Sequence, residues 1–116
     1  MTPSIIGRFA RYHHLDAMFD APIDDSAATI ERLCVLHFGS GDALDVMRLV
    51  QTLTLIESAE MLLGDAGGLE MAIGPAGRFT TFDEHGSRVL TAAANRLFAQ
   101  AGIDPAKWRK VNDEEA

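Results

Sequence analysis

A chain of 116 residues, 47% hydrophobic and 23% charged, is the size and make-up of one globular domain that buries a core without disulfide or metal support. Its 17 acidic residues against 10 basic ones give a formal charge of −7, which opposes general nucleic-acid affinity, because phosphate binding draws on Lys and Arg displacing counterions. There is no uninterrupted apolar stretch of bilayer-spanning length and no signal-peptide h-region near the start, and the single Cys34 forms no internal disulfide, so a single cytoplasmic domain over residues 1–116 is expected.

In chain order, Thr2-Pro3 predicts a helix start, with the helix running to about Phe19. Ile5, Phe9, Tyr12 and Phe19 share its apolar stripe, and Leu15 lies at the edge. Pro22 ends that element, and Asp25 or Ser26 caps a second helix over Ala27 to Phe38. Ile30, Leu33, Cys34 and His37 are its inner positions, and Gly39 stops it. Asp42 then caps a third helix reaching Leu63, with Gly64 in the usual C-terminal place. Glycines at 64, 67, 68, 74 and 77 mark a change of character. Leu69 to Ile73 and Arg78 to Phe82 flank a four-residue turn and predict a β-hairpin, with Leu69 opposite Phe82 and Met71 opposite Thr80. Thr81-Phe-Asp-Glu84 has capping-box spacing for a fourth helix from about Asp83 to Ala101. Gly102 closes it, and Asp104-Pro105 opens a short fifth helix carrying Trp108. Residues 112–116 are expected to fray. The fold class is therefore mainly α (α+β): a compact bundle of four to five helices around a central helix near residues 43–63, with one β-hairpin near residues 69–82.

The third helix carries an unusual line. Val46, Val50, Leu53, Glu57 and Glu60 are spaced four, three, four and three, the rhythm of a helix seam, so apolar residues give way to carboxylates along one side. Leu44, Leu55, Ala59 and Leu62 mark a second stripe and Leu49, Ile56 and Leu63 a third. A helix apolar in several directions is normally surrounded, which points to the centre of the domain. Three readings of the glutamates stand side by side. The seam turns out to solvent; or Arg8, Arg11, Arg88 or Arg96 meets the carboxylates, as a part-buried charge requires; or the two acids form a metal or acid–base site.

Other residues that carry chemistry read mostly as structural. His13 and His14 point in different directions from the first helix and are expected at the surface. Cys34 and His37 share one helical face, where packing outweighs a thiol–imidazole or metal site. His85 falls in a first helical turn, where capping explains it. No Walker, dinucleotide, Gly-x-Ser-x-Gly or His-Glu-x-x-His pattern occurs.

The segment Leu97-Phe-Ala-Gln-Ala-Gly-Ile-Asp-Pro-Ala-Lys-Trp-Arg-Lys-Val111 resembles a bacterial helix-turn-helix, with Gly102 at the turn and Trp108 and Val111 at the apolar places of the second helix. The resemblance implies that Pro105, Ala106, Lys107, Arg109 and Lys110 face a major groove. Phe98 departs from the small residue usual at its place.

These features predict a small non-enzymatic regulatory or adaptor protein that acts by binding another protein, in the manner of antiactivators, secretion chaperones or phage-encoded inhibitors, with no cofactor and no metal. Trp108, Arg109, Arg78, Glu57 and Glu60 are its candidate contacts, together with the hairpin tip at Gly74 to Arg78. Apolar residues on several helix faces add a homodimer as an expected partner state. A DNA-binding regulator using residues 97–111, and a ligand or metal site from Glu57, Glu60 and His37 with Cys34, are the alternatives.

Overall fold

The computed structural model describes residues 4–20, 23–71 and 81–112. They form five α-helices: α1 (Ile5–Tyr12), α2 (Ala27–Phe38), α3 (Ala43–Met71), α4 (Thr81–Gln100) and α5 (Pro105–Asn112), with a short 3-10 turn at Asp16–Met18. No strand occurs among the described residues.

Side-chain caps set the helix starts. Ser4, rather than Thr2, caps α1, and its hydroxyl accepts the Gly7 N–H at 3.2 Å. Ser26 does the same for α2 through Thr29 N–H, and Asp42 for α3 through Asp45 N–H at 2.9 Å. Asp104 caps α5 by accepting from Ala106 N–H at 3.0 Å. The Asp24 carboxylate accepts from the Thr29 hydroxyl and from both the hydroxyl and N–H of Ser26, and these bonds hold its pKa down at about 2.

Two helix ends differ from the sequence reading. α1 stops at Tyr12, seven residues early. His14 takes a left-handed backbone, φ 58°; its N–H donates to the Arg11 carbonyl at 3.1 Å and Leu15 N–H donates to the Ala10 carbonyl at 2.8 Å. That is a Schellman ending with histidine where glycine is usual, so no glycine marked it. α3 runs past Gly64 to Met71, and its extension lies against α4. Ala66 is buried there, and the Ser87 hydroxyl of α4 donates to its carbonyl at 3.4 Å. Tertiary packing outweighs the roughly 1 kcal/mol by which each interior glycine weakens a helix. Consequently residues 69–71 and 81–82, expected in the hairpin, are helical; residues 72–80, with the expected tip and Arg78, lie outside the described residues. Gly102 ends α4 as expected, with φ 73° and Ile103 N–H donating to the Phe98 carbonyl at 2.9 Å. Asn112, placed in the fraying tail by sequence, is helical and buried, its amide donating to the Trp108 carbonyl at 3.2 Å.

α3 is the longest element, roughly 44 Å at 1.5 Å per residue, and α4 is its most extensive neighbour. The core lies where α1, α2 and α5 close over the α3–α4 pair. Phe9, Leu33, Cys34, Leu49, Ile56, Ala94 and Phe98 fill it. The Tyr12 hydroxyl accepts Asp104 N–H at 3.1 Å and so ties α1 to the start of α5.

Candidate functional site

α3 is not surrounded. Its buried line runs through Leu49, Leu53, Ile56 and Ala59, and the face opposite is open. At 100° per residue, Val50, Met61, Thr54, Met47, Ser58, Gln51 and Leu44 fall in order within one arc of about 120°. Leu44 is 71% exposed and Met61 68%; Met47 and Val50 are about half exposed, and Gln51 and Thr54 are exposed too. None of these residues carries a charge, although the molecule has 27 residues that do, 17 acidic and 10 basic. Charges stand at the edges and at the far end, where exposed Asp65, four residues past Met61, continues the line of the arc. Glu57 borders the arc on the Val50 side; Arg48 borders it on the Leu44 side, bound to Asp45 at 2.9 Å and lying 4.4 Å over the Phe38 ring.

Shallow grooves continue this face onto α2. One, of about 450 Å³, is lined by Val50, Gln51, Thr54, Leu55 and Ser58. A second, about 500 Å³, lies between Ala27, Ile30 and Glu31 of α2 and Ala43, Val46 and Val50 of α3. A third, about 290 Å³, is formed on α2 by Ala28, Glu31, Arg32, Val35 and Leu36. Val50 belongs to the first two and Glu31 to the last two, so the grooves join in one band across both helices. Such a band offers dispersion contact and apolar burial over an extended surface, and it holds no convergent set of polar groups for a small substrate.

The structure separates the seam residues. Leu53 is buried, Val46 half-buried, and Val50 and Glu57 are exposed. Glu60 is half-buried and accepts from the Arg8 guanidinium of α1 and, at 3.4 Å, from the Trp108 indole N–H of α5. Two readings therefore hold, one for each residue: Glu57 is solvated and Glu60 is paired. Trp108, expected as an exposed contact, is 3% exposed and packs against Tyr12 and Phe98, with ring centroids 5.7 and 6.2 Å away. Its burial removes it from the outer surface. Arg109, Lys107, Lys110 and Ala106 are exposed along α5, and Lys107 sits 5.5 Å over the Tyr12 ring.

His37 is not near a carboxylate pair. It faces His13, with centroids 4.5 Å apart, and both rings contact Phe9. Burial, then the neighbouring His37, then Lys107 and His14 push His13 down to about 4, and burial followed by Arg48 lowers His37. His13, expected at the surface, is thus part of the α1–α2 joint. Cys34 is buried, its thiol donating to the Ser40 carbonyl at 3.2 Å, and burial raises its pKa, which suits packing. Among the described residues no group of three or more His, Cys, Asp or Glu is arranged to hold a metal ion. Among them, too, no helix is long and apolar enough to cross a membrane.

Sequence reading missed the open α3 face and the His13–His37 contact. A signal for the first was present: Leu44, Met47, Gln51, Thr54, Ser58 and Met61 are spaced three, four, three, four and three. The second joins residues 24 positions apart, and no local pattern announces it. Compared with known protein families, curated proteins and solved structures, the chain matches none.

Proposed function

We propose that this chain is a small regulatory or adaptor protein that works by protein–protein contact, and that its contact surface is the outer face of α2 and α3. One observation carries the reading: an uncharged, largely apolar arc of α3 stands in solvent from Leu44 to Met61 on a strongly acidic molecule. Contiguous exposed apolar area of this kind marks an interaction surface far more often than an idle one. The charged edges, Glu57 and Arg48, suit a rim that sets orientation while the apolar centre supplies affinity. The test is a photo-crosslinking amino acid placed at Thr54, with the same group at Arg109 as control, in cells that naturally make the protein. Adducts heavier than one chain at position 54 and none at 109 support the face. If neither position gives an adduct, the reading fails.

A second reading keeps one specific support. Lys107, Arg109 and Lys110 are exposed on α5, which follows a tight turn after α4 as the helix-turn-helix resemblance requires. A gel shift with genomic fragments at low salt decides it: no retained fragment means no DNA role, in line with the opposing charge of −7.

A further inference from the structure

We infer that the partner of the open α3 face is a second copy of this chain, docked antiparallel about a two-fold axis that passes between the two α3 helices at the level of Thr52 and Leu53. This rests on the reading of that face as a contact surface. The motive is a symmetry within the stripe. A self-complementary interface places residue i against j and j against i, so the patch must match its own reversal. Read from either end, Leu44, Met47, Gln51, Thr54, Ser58 and Met61 give the same spacing, and reversal sets Leu44 against Met61, Met47 against Ser58, and Gln51 against Thr54, while Asp65, next on the line, falls at the level of Ser40, ahead of the second copy's α3 and outside the paired layers.

Each pairing is chemically sound. The outer layers join two large apolar side chains, both more than two-thirds exposed in the single chain. In the next layer a long methionine meets a small serine, so neither crowds the other. At the centre the Thr54 hydroxyl already donates to the Val50 carbonyl at 2.9 Å, which leaves its oxygen free to accept from the Gln51 amide of the second copy. Spacing of three and four is the rhythm by which two helices keep a common seam. Charge argues the same way. Two molecules of −7 repel, so contact favours a face that buries no carboxylate; the arc from Leu44 to Met61 has none, with Glu57 at its edge and Asp65 past its end. The stripe spans about 26 Å, and α2 widens it through Val35, which is also exposed.

The full chain is examined by sedimentation equilibrium from about 1 to 200 µM, with Thr54→Lys beside it and circular dichroism confirming that the variant stays helical. Self-pairing requires the mass to rise from one chain to two, and Thr54→Lys to weaken the association at least tenfold. Leu44→Cys and Met61→Cys then fix the geometry under mild oxidation: mixed together they form a disulfide-linked dimer, and each alone forms no disulfide, because identical positions lie about 26 Å apart across the two-fold axis. A mass of one chain at all concentrations overturns the inference, and so does a crosslink formed by either variant alone. If the mass stays single while position 54 still crosslinks to a different protein in cells, self-pairing is wrong and the contact surface stands. A single mass with no adduct removes both.

Discussion

Glu57 and Glu60 lie one step of about 60° apart round α3, and that step separates a solvated carboxylate from a paired one. Glu60 is the acceptor for the Arg8 guanidinium and the Trp108 indole, so it joins α1, α3 and α5 at one point. Removing it leaves Arg8 part-buried with its charge uncompensated. Glu60→Ala should therefore lower the unfolding free energy by about 1–2 kcal/mol, more than an exposed ion pair and less than a fully buried one. Glu57→Ala should stay within about 0.5 kcal/mol of the parent, as exposed positions do. Urea unfolding followed by fluorescence of the single tryptophan, which is buried and close to Glu60, reads both; equal effects would refute the distinction. The sequence left solvent, arginine and a two-acid site side by side, and spacing alone carried the question no further. Arg8 is 52 residues away from Glu60, and only the closure of α1 over the bundle brings them together.

At the scale of elements, two residues sit where their local propensity is wrong, in opposite senses. Gly64 lies inside α3 in a helical backbone, exposed, and a Cβ built there meets nothing within 4 Å. Gly64→Ala should stabilise the protein by about 0.5–1 kcal/mol, visible as a rise of about 2–5 °C in melting temperature, because alanine restricts the unfolded chain and enters the helix without a clash. His14 holds the left-handed place that ends α1, where a side chain is strained. His14→Gly should gain about 0.5–1 kcal/mol, a smaller gain than the left-handed penalty alone because histidine tolerates this region better than most residues. Calorimetry on both variants checks them, and a destabilised Gly64→Ala would mean that the helix does not continue through residue 64. The same two residues explain where sequence reading of the elements failed. Glycine at 64 announced a stop that packing against α4 cancels, and histidine at 14 concealed a stop that glycine would have shown. Where residue type and role agree, as at Ser26, Asp42, Gly39, Gly102 and Asp104, the element boundaries were legible.

Across the whole molecule, periodicity and capping residues pointed to a bundle of four to five helices but not to which apolar face each would leave open. Several stripes on α3 suggested a surrounded helix; the neighbours cover only part of its circumference, and the uncovered part is the candidate contact face. The same global packing decides the pH response, through the joint where α1 meets α2. His13 and His37 touch there among Phe9, Tyr12 and Phe38, and the charged groups affecting them are cationic: Lys107 of α5 and His14 beside His13, and Arg48 of α3 beside His37. In the unfolded chain a histidine takes up its proton near pH 6.5, whereas folded His13 resists until about 4. Between those values the unfolded state binds more protons, so stability falls as the pH is lowered through that window. The ring is only half-buried, which trims the effect to about 1–2 kcal/mol from the roughly 3 kcal/mol that a fall from 6.5 to about 4 would supply in a fully shielded group. Further losses follow below about pH 4, as Asp24 and Asp42 take up protons and give up the cap and turn hydrogen bonds that keep both pKa values low. His13→Phe keeps a ring against Phe9 and His37 while removing one titration. Its urea midpoint should therefore change less than that of the parent between pH 7 and pH 4.5, with both proteins losing stability alike from pH 4 to pH 2. If parent and variant lose equal stability across the upper window, His13 is not the group that links acid to the loosening of α1 from α2.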